Sequence, residues 1–187
     1  SAWGILGEVW TMLETLTYGW GDAAEVRCAQ LLGAGFADSA RKSAHKALAM
    51  ATVGAVFTSG LLLGTMNYIP SLITIDHYLQ SMLKGLFPIV AVGNLTLTVG
   101  TMSFQLVGAQ ARYSMATAME FIGSWVVSLP LALISSLLLK WDLKGLVAAV
   151  VLGYMVSGTL NFLVVCCTDW ERRSLFVMKQ SEEMATS

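Results

Sequence analysis

Four stretches of this chain are long, apolar and almost free of charge, and they limit its fold more than any other feature. Residues 47–67, 85–107 and 145–168 contain no Asp, Glu, Lys or Arg, and residues 113–139 contain one acid, Glu120. A helix needs about 20 apolar residues to cross the hydrocarbon core of a bilayer. Only 12% of all residues are charged, against about 25% in typical soluble domains. The sequence therefore predicts an all-α fold, a polytopic bundle of transmembrane helices.

A fifth segment, residues 3–32, has a helical period but carries Glu8, Glu14, Asp22 and Glu25. Alone, it would pass for an amphipathic soluble helix. Because four apolar spans follow it, we interpret it as a membrane helix whose polar face is turned away from lipid. Residues 174–187 are then a tail. The chain opens inside this helical segment, so we expect it to be a piece of a longer protein.

The acids of the first segment form a polar stripe that is the strongest candidate for chemistry. Glu14, Tyr18, Asp22 and Glu25 fall within an arc of roughly 80° on a helix. Carboxylates on one face repel each other, so in a low dielectric at least one of them is expected to bind a proton or a cation. The alternative is that this helix lies at the edge of a truncated bundle and its acids simply face water.

Two further polar residues lie inside the predicted spans. Glu120 stands alone, about two turns from one end of its span, and is either a proton or cation site or an acid that reaches the interface. Asn94 offers a neutral amide that suits either a hydrogen bond between helices or a contact with a solute. Gly60 and Gly64 form a small-xxx-small pair, which predicts that a neighbouring helix approaches closely there.

The distribution of positive charge predicts the orientation. The connectors 33–46 and 108–112, together with Arg27, Arg172, Arg173 and Lys179, hold eight Lys or Arg residues, whereas 68–84 and 140–144 hold only Lys84, Lys140 and Lys144. Because positive residues collect on the cytoplasmic side, the basic side and the C-terminus are predicted to be cytoplasmic. The charges do not distinguish a plasma membrane from a vacuolar one.

Other function classes find little support in the sequence. A net charge of −1 leaves no basic stripe for nucleic acid. No nucleophile–base pair and no set of metal ligands is apparent, so we expect no enzyme, no metal and no cofactor. Cys28, Cys166 and Cys167 are interpreted as small buried residues.

Five sequence blocks in order resemble the multidrug and toxin extrusion (MATE) family of transporters. The stretch "GWGDAAEVRCAQLLGAGFADSARKSA" is similar to the family block G-x-x-x-A-A-x-V-R-V-G-N-x-L-G-A-G-x-x-x-x-A-R-x-A, and the resemblance continues in "ITID" at 73–76, "PIVAV" at 88–92, "IGSWVVSLPLAL" at 122–133 and "TDWERR" at 168–173. The first block is matched by Gly19, Ala23, Ala24, Val26, Arg27, Leu32, Gly33, Ala34, Gly35, Ala40 and Arg41.

The resemblance implies an architecture and a function. MATE transporters have two six-helix lobes, so the five spans, at about 3–32, 47–67, 85–107, 113–139 and 145–168, would be the C-terminal lobe without its first helix. The expected partners are the missing N-terminal lobe, the lipid bilayer and small organic, often cationic solutes. The implied function is efflux of organic or xenobiotic solutes by antiport coupled to H+ or Na+.

The candidate site residues follow from the stripe and the resemblance together. We predict ion coupling at Glu14, Asp22 and Glu25, with Glu120 as a further candidate, and a substrate cavity containing Tyr18 and Asn94. The chain departs from the family pattern at two positions. Leu97 stands where eukaryotic members usually carry an acid, and Gly108 stands where the R-G-x-G loop has its arginine.

Two rival functions remain open at this point. A non-transporting scaffold bundle would use the acids only for contacts between helices. A flippase of lipid-linked sugars shares the architecture of this superfamily, but it favours a cationic cavity, and the acids of the first segment argue against it.

Overall fold

The computed structural model describes residues 2–73, 75–137 and 142–186, and in these ranges every long element is a helix. Besides the long helices, the described residues contain a short helix at 69–73, a π-helical segment at 122–128 and a C-terminal helix at 170–186. Lys140, one of the charges used to predict the orientation, lies outside the described residues. The elements are α1 Ala2–Gly33, α2 Ala37–Thr65, α3 Ile69–Ile73, α4 His77–Ala109, α5 Tyr113–Phe121, the π-helical segment Ile122–Ser128, α6 Leu129–Leu137, α7 Asp142–Cys167 and α8 Trp170–Thr186.

Four helical segments are long and apolar enough to cross a membrane. They are Ala37–Thr65, His77–Ala109, Tyr113–Leu137 and Leu143–Cys167, and each contains most of one charge-poor stretch of the sequence. The all-α transmembrane bundle predicted from these stretches is confirmed. α1 is not among the four by composition, because its acids lower its hydropathy, but its 32 residues form one continuous helix that packs along α4 and α2.

α4 is the central helix of the bundle, in contact with α1, α2 and α7. Its tightest neighbour is α7, where a Cβ placed on Gly158 would lie 2.9 Å from the Cα of Gly100. Two glycines facing each other allow the two backbones to touch. By contrast, a Cβ placed on Gly60 or Gly64 would meet no atom of the described residues within 4 Å. The predicted close approach at that pair is therefore wrong for the described chain.

The G-A-G turn of the first sequence block connects α1 to α2. Gly35 has φ +83°, a left-handed conformation that costs a side-chain-bearing residue about 1–2 kcal/mol. The amide of Gly35 donates to the carbonyl of Leu32 at 3.1 Å and that of Phe36 to Leu31 at 2.9 Å, the paired bonds of a Schellman cap. Ser174 of α8 donates to the same Leu32 carbonyl at 2.8 Å, so the C-terminal helix is held against this turn.

Two helices extend beyond the spans predicted for them. α2 begins at Ala37 and α4 at His77, so much of the predicted connectors 33–46 and 68–84 is helical. The side chain of Asp76 accepts a hydrogen bond from the Tyr78 amide at 2.9 Å and thereby caps α4. The predicted spans stop where charged residues begin. Because charge does not prevent a helix from continuing past the bilayer, both helices are longer than their predicted spans.

The three cysteines do not share one environment. Cys28 is buried, as predicted, and donates its thiol to the Ala40 carbonyl at 3.6 Å. Cys166 and Cys167 are exposed, so the prediction that they are buried is wrong. They are the last two residues of α7, and the described part of the chain leaves their side chains uncovered.

Candidate ion-coupling site

Glu14 and Tyr18 begin the site on α1. They lie one helical turn apart, and Glu14 is within electrostatic range of the Tyr18 hydroxyl. Glu14 is half-buried, whereas Tyr18 keeps 46% of its surface exposed. The spacing of four residues that predicted a shared face therefore makes these two side chains neighbours on the helix.

A second phenol reaches the same place from α7. Tyr154 stacks on Trp10 of α1, with ring centroids 5.8 Å apart and an angle of 26° between the ring planes. Glu14, Glu120 and Tyr18 all lie within electrostatic range of the Tyr154 hydroxyl. Tyr18 in turn is within range of Glu14, Glu120 and Asp22. Two acids from different helices thus meet two phenols, a combination of proton donors and acceptors at one place.

Tyr18, Glu120 and Tyr154 line a small cavity of about 90 Å³, and Glu14 is not among its lining residues. A water molecule in the liquid occupies about 30 Å³, so the space suits a proton-carrying water or a small cation rather than an organic solute. Hydroxyl groups, one carboxylate and apolar side chains share the wall. The lining residues are Tyr18, Leu97, Gly100, Thr101, Phe104, Glu120, Tyr154 and Ser157.

Glu120 owes its position to a break in the regular helix. α5 ends at Phe121 and continues into the π-helical segment, whose Gly123 is buried so closely against α7 that a Cβ there would lie 2.7 Å from the Gly153 carbonyl oxygen. Ser128 ties the other end of the segment to α7, donating to the Ala149 carbonyl at 3.1 Å. Pro130 follows and has no amide hydrogen for the preceding turn, which favours the wider π turn. Such turns occur frequently at functional sites.

The structure places the two remaining predicted acids away from this cavity. Asp22 accepts a hydrogen bond from the Gln105 amide of α4 at 2.5 Å. Glu25 is half-buried and lies within electrostatic range of Asp22, and neither acid is among the residues that line the cavity. The predicted stripe is therefore divided into an upper part, Glu14 and Tyr18, within electrostatic range of Tyr154, and a lower part, Asp22 and Glu25, in which Asp22 contacts Gln105.

Asn94 lies between α2 and α4. It is only 2% exposed, and its amide donates to the hydroxyls of Thr58 and Ser59, each at 2.9 Å. Of the two roles that the sequence left open, this geometry is a hydrogen bond between helices. A role in a substrate cavity stays a prediction.

The two departures from the family pattern lie in different surroundings. Leu97 is 3% exposed and lines the same cavity as Glu120. Gly108 is buried under Tyr113, and a Cβ at this position would lie 2.6 Å from the Tyr113 ring. Nearby, Arg112 donates to the Thr168 hydroxyl at 3.4 Å. An arginine at 112, four positions after Gly108, thus links the α4–α5 turn to the end of α7.

Sequence reasoning missed three polar members of the site. Tyr154, Ser157 and Thr101 each stand in an apolar span and each line the cavity. Tyr154 and Ser157 are three residues apart on α7 and so share a helical face. That spacing was the available signal, but a hydroxyl in a membrane helix commonly bonds its own backbone, as Ser157 also does to the Tyr154 carbonyl at 3.5 Å.

Comparisons with known proteins find similarity to transporters in sequence and in fold. Multidrug and toxin extrusion protein 1 from Mus musculus is 25% identical over 90% of this chain, and Protein DETOXIFICATION 9 from Arabidopsis thaliana is 27% identical over 86% of it. The chain spans 32% and 33% of the length of these two relatives. The crystal structure of the eukaryotic MATE transporter AtDTX14 matches the fold with a TM-score of 0.91 at 18% identity, over 96% of this chain and 40% of that one.

The family assignment rests on a profile of the whole family as well as on single relatives. The model of the MatE family matches residues 1–134, a range that includes α1, the G-A-G turn, Glu120 and the π-helical segment. The four apolar helices and this match identify an integral membrane protein. The chain is a member of the MatE family of transporters.

Proposed function

We propose that this chain is part of an ion-coupled antiporter that extrudes organic, including xenobiotic, solutes, and that Glu14, Tyr18, Glu120 and Tyr154 form its coupling site. The observation that carries the proposal is that Glu120 at the end of α5 lines one small cavity together with Tyr18 of α1 and Tyr154 of α7, while Glu14 lies within electrostatic range of both phenols. The printed names of the relatives, which include multidrug and toxin extrusion, support the solute class.

The site supports coupling because its charge state changes the contacts between helices. A charged Glu14 and a charged Glu120 each place a negative charge within electrostatic range of both phenols. Repulsion between the two carboxylates is relieved when one of them binds H+ or Na+. Because Glu120 adjoins the π-helical segment, its neutralisation alters the balance between two arrangements of that span, and an ion drives transport only through such a difference.

The organic solute requires a separate space. Pockets for drug-sized ligands measure roughly 300–1,000 Å³, well above the 90 Å³ of this cavity. We place the solute between this lobe and an N-terminal lobe, where repeat interfaces hold substrates in secondary transporters. In the same proposal the α1–α2 turn, the α4–α5 turn and α8 are cytoplasmic, following the excess of positive charge on that side.

The test is solute exchange in proteoliposomes, using the polypeptide as its gene encodes it. Outward gradients of H+ and of Na+ are applied separately to identify the coupling ion. Glu14→Gln and Glu120→Gln are each expected to reduce gradient-driven exchange about tenfold, a factor within the range that typical coupling free energies produce. Glu8→Gln is the matched control, since Glu8 is an exposed acid of the same helix.

A second set of variants separates the two halves of the acidic stripe. Asp22→Asn and Glu25→Gln test whether the acids outside the cavity also couple, as the sequence predicted. Loss of coupling in these two alone, with Glu14→Gln and Glu120→Gln unaffected, would transfer the coupling role to the lower half of the stripe and contradict the proposed site.

A further inference from the structure

A large groove separates α1 from α2 near the turn that joins them, and none of its lining residues lines the ion-coupling cavity. Its volume is about 840 Å³, within the range of pockets that hold ligands. Met102 of α4 is part of its floor. We call this space the basic groove, and its lining residues are Trp20, Ala23, Ala24, Arg27, Leu31, Ser39, Lys42, Ser43, Lys46, Ala47, Met50, Ala51 and Met102.

The groove carries three positive charges and no negative one. Arg27, Lys42 and Lys46 line it, and no lining residue has a carboxylate. Within the described ranges, no ion pair neutralises any of the three. Three like charges in one concave space attract an anion strongly, because the low-dielectric walls concentrate their field.

The charges and the apolar side chains occupy different depths. At a rise of about 1.5 Å per residue, Arg27 and Lys42 lie roughly one and a half to two turns from the α1–α2 turn, and Lys46 about one turn deeper. Trp20 and Met50 lie farther in, each about 20 Å from the turn. The hydroxyls of Ser39 and Ser43 accompany the charges. The basic groove is thus polar and cationic near the membrane surface and apolar towards the membrane interior.

An apolar track continues from the inner end of the groove along α2. Met50, Val53, Phe57 and Leu61 follow one another at helical spacing and are 72%, 69%, 69% and 57% exposed. Spacings of three and four residues put them on one side of the helix. The track is roughly 17 Å long, which is comparable to an extended acyl chain. Cations, hydroxyls and an apolar track follow the order of a phospholipid from headgroup to tail.

We propose that the basic groove is a binding site for an anionic phospholipid of the cytoplasmic leaflet, with its phosphate on Arg27, Lys42 and Lys46 and an acyl chain along Met50 and Phe57. Charge complementarity favours this occupant over a protein segment. A membrane helix in the groove would match the three cations only if it carried carboxylates at headgroup depth, whereas an anionic lipid supplies the negative charge there and apolar carbon deeper. Basic pockets between helices on the cytoplasmic side bind acidic headgroups in this way.

The proposal goes beyond ion coupling and uses none of its residues. It requires only that the chain lies in a membrane with its basic end in the cytoplasm. Lipid binding can therefore succeed or fail independently of the effects of Glu14→Gln and Glu120→Gln on transport.

The first test is native mass spectrometry of the detergent-purified protein titrated with phosphatidylserine or phosphatidylcholine. Phosphatidylserine is expected to bind more tightly, and the triple variant Arg27→Gln/Lys42→Gln/Lys46→Gln is expected to lose affinity for it about a hundredfold, or roughly fivefold for each charge. The control variant is Lys84→Gln/Lys144→Gln. These two lysines lie near each other at the opposite end of α4, where the Lys144 ammonium is 3.0 Å from a Cβ placed on Gly85.

Two further variants make the result decisive. The charge-preserving variant Arg27→Lys/Lys42→Arg/Lys46→Arg should retain binding, which separates charge from folding. Equal affinity for the two lipids, or unchanged affinity in the triple Gln variant, would overturn the proposal.

The second test identifies the occupant directly. A photo-crosslinking residue, p-benzoylphenylalanine, replaces Met50, which is 72% exposed at the inner end of the groove. In liposomes containing phosphatidylserine, we expect irradiation to attach lipid to the protein, and the triple Gln variant to reduce this product. Attachment to another segment of protein instead of lipid would show that a protein fills the groove and would refute the lipid site.

Discussion

Glu120 of α5 and Leu97 of α4 line the same small cavity, although they belong to different helices. The family pattern places an acid at the position of Leu97, so in this chain a carboxylate enters the cavity from the neighbouring helix. Residues 85–107 contain no carboxylate, but the cavity still has a negative group because Glu120 supplies one from α5.

This relationship predicts that the acid can be moved back. In Leu97→Glu/Glu120→Gln the carboxylate returns to α4 while the cavity keeps one acid, so we expect the double variant to recover most of the gradient-driven exchange lost in Glu120→Gln. The loss and the recovery are each expected to be about tenfold, measured in the same proteoliposomes. Leu97→Gln/Glu120→Gln is the matched control and should not recover. Equal activity of the two double variants would mean that the carboxylate is not the group that matters.

The contact between Asp22 and Gln105 leads to a prediction about stability. The Gln105 amide donates to Asp22 at 2.5 Å and Gln105 is 5% exposed, so Gln105→Leu leaves a carboxylate without its donor. Hydrogen bonds to charged groups contribute about 1.5–3 kcal/mol, and because Asp22 itself is exposed, we expect a loss at the lower end of this range, which should lower the midpoint of thermal unfolding in detergent. Asp22→Asn keeps an oxygen acceptor and should lower the midpoint less. If Asp22→Asn is the more harmful of the two, the charge rather than the hydrogen bond stabilises this pair.

Much of the fold could be predicted because lipid imposes one strong rule. Backbone groups in hydrocarbon must be paired within a helix, so charge-poor stretches such as 47–67 and 145–168 are readily identified as helices. The same rule does not indicate where a helix ends outside the bilayer. The sequence therefore predicts connectors before residues 47 and 85, where the structure has additional turns of α2 and α4.

The candidate site was predictable only where its members share one helix. The spacing of Glu14 and Tyr18 is a property of α1 alone, and in the structure Glu14 lies within electrostatic range of the Tyr18 hydroxyl. Tyr154 reaches the site through the packing of α7 on α4, and Glu120 through the π-helical segment. Neither arrangement produces a periodic pattern in the sequence from which it could be predicted. The capture of Asp22 by Gln105, 83 residues away, is of the same kind.

The glycines provide a test of the packing itself. Gly158 and Gly100 bring α7 and α4 into contact, and a Cβ on Gly158 would lie 2.9 Å from the Gly100 Cα. Because backbone rather than a flexible side chain is in the way, Gly158→Ala must push the two helices apart. Overpacking of this kind costs about 1–3 kcal/mol.

Gly60→Ala is the matched control, since no described atom lies within 4 Å of the added methyl group. We expect thermal unfolding in detergent to show a lower midpoint for Gly158→Ala and no loss for Gly60→Ala. A greater loss in Gly60→Ala would mean that a helix outside the described residues packs on α2, and that the small-xxx-small pair read from the sequence is a contact after all.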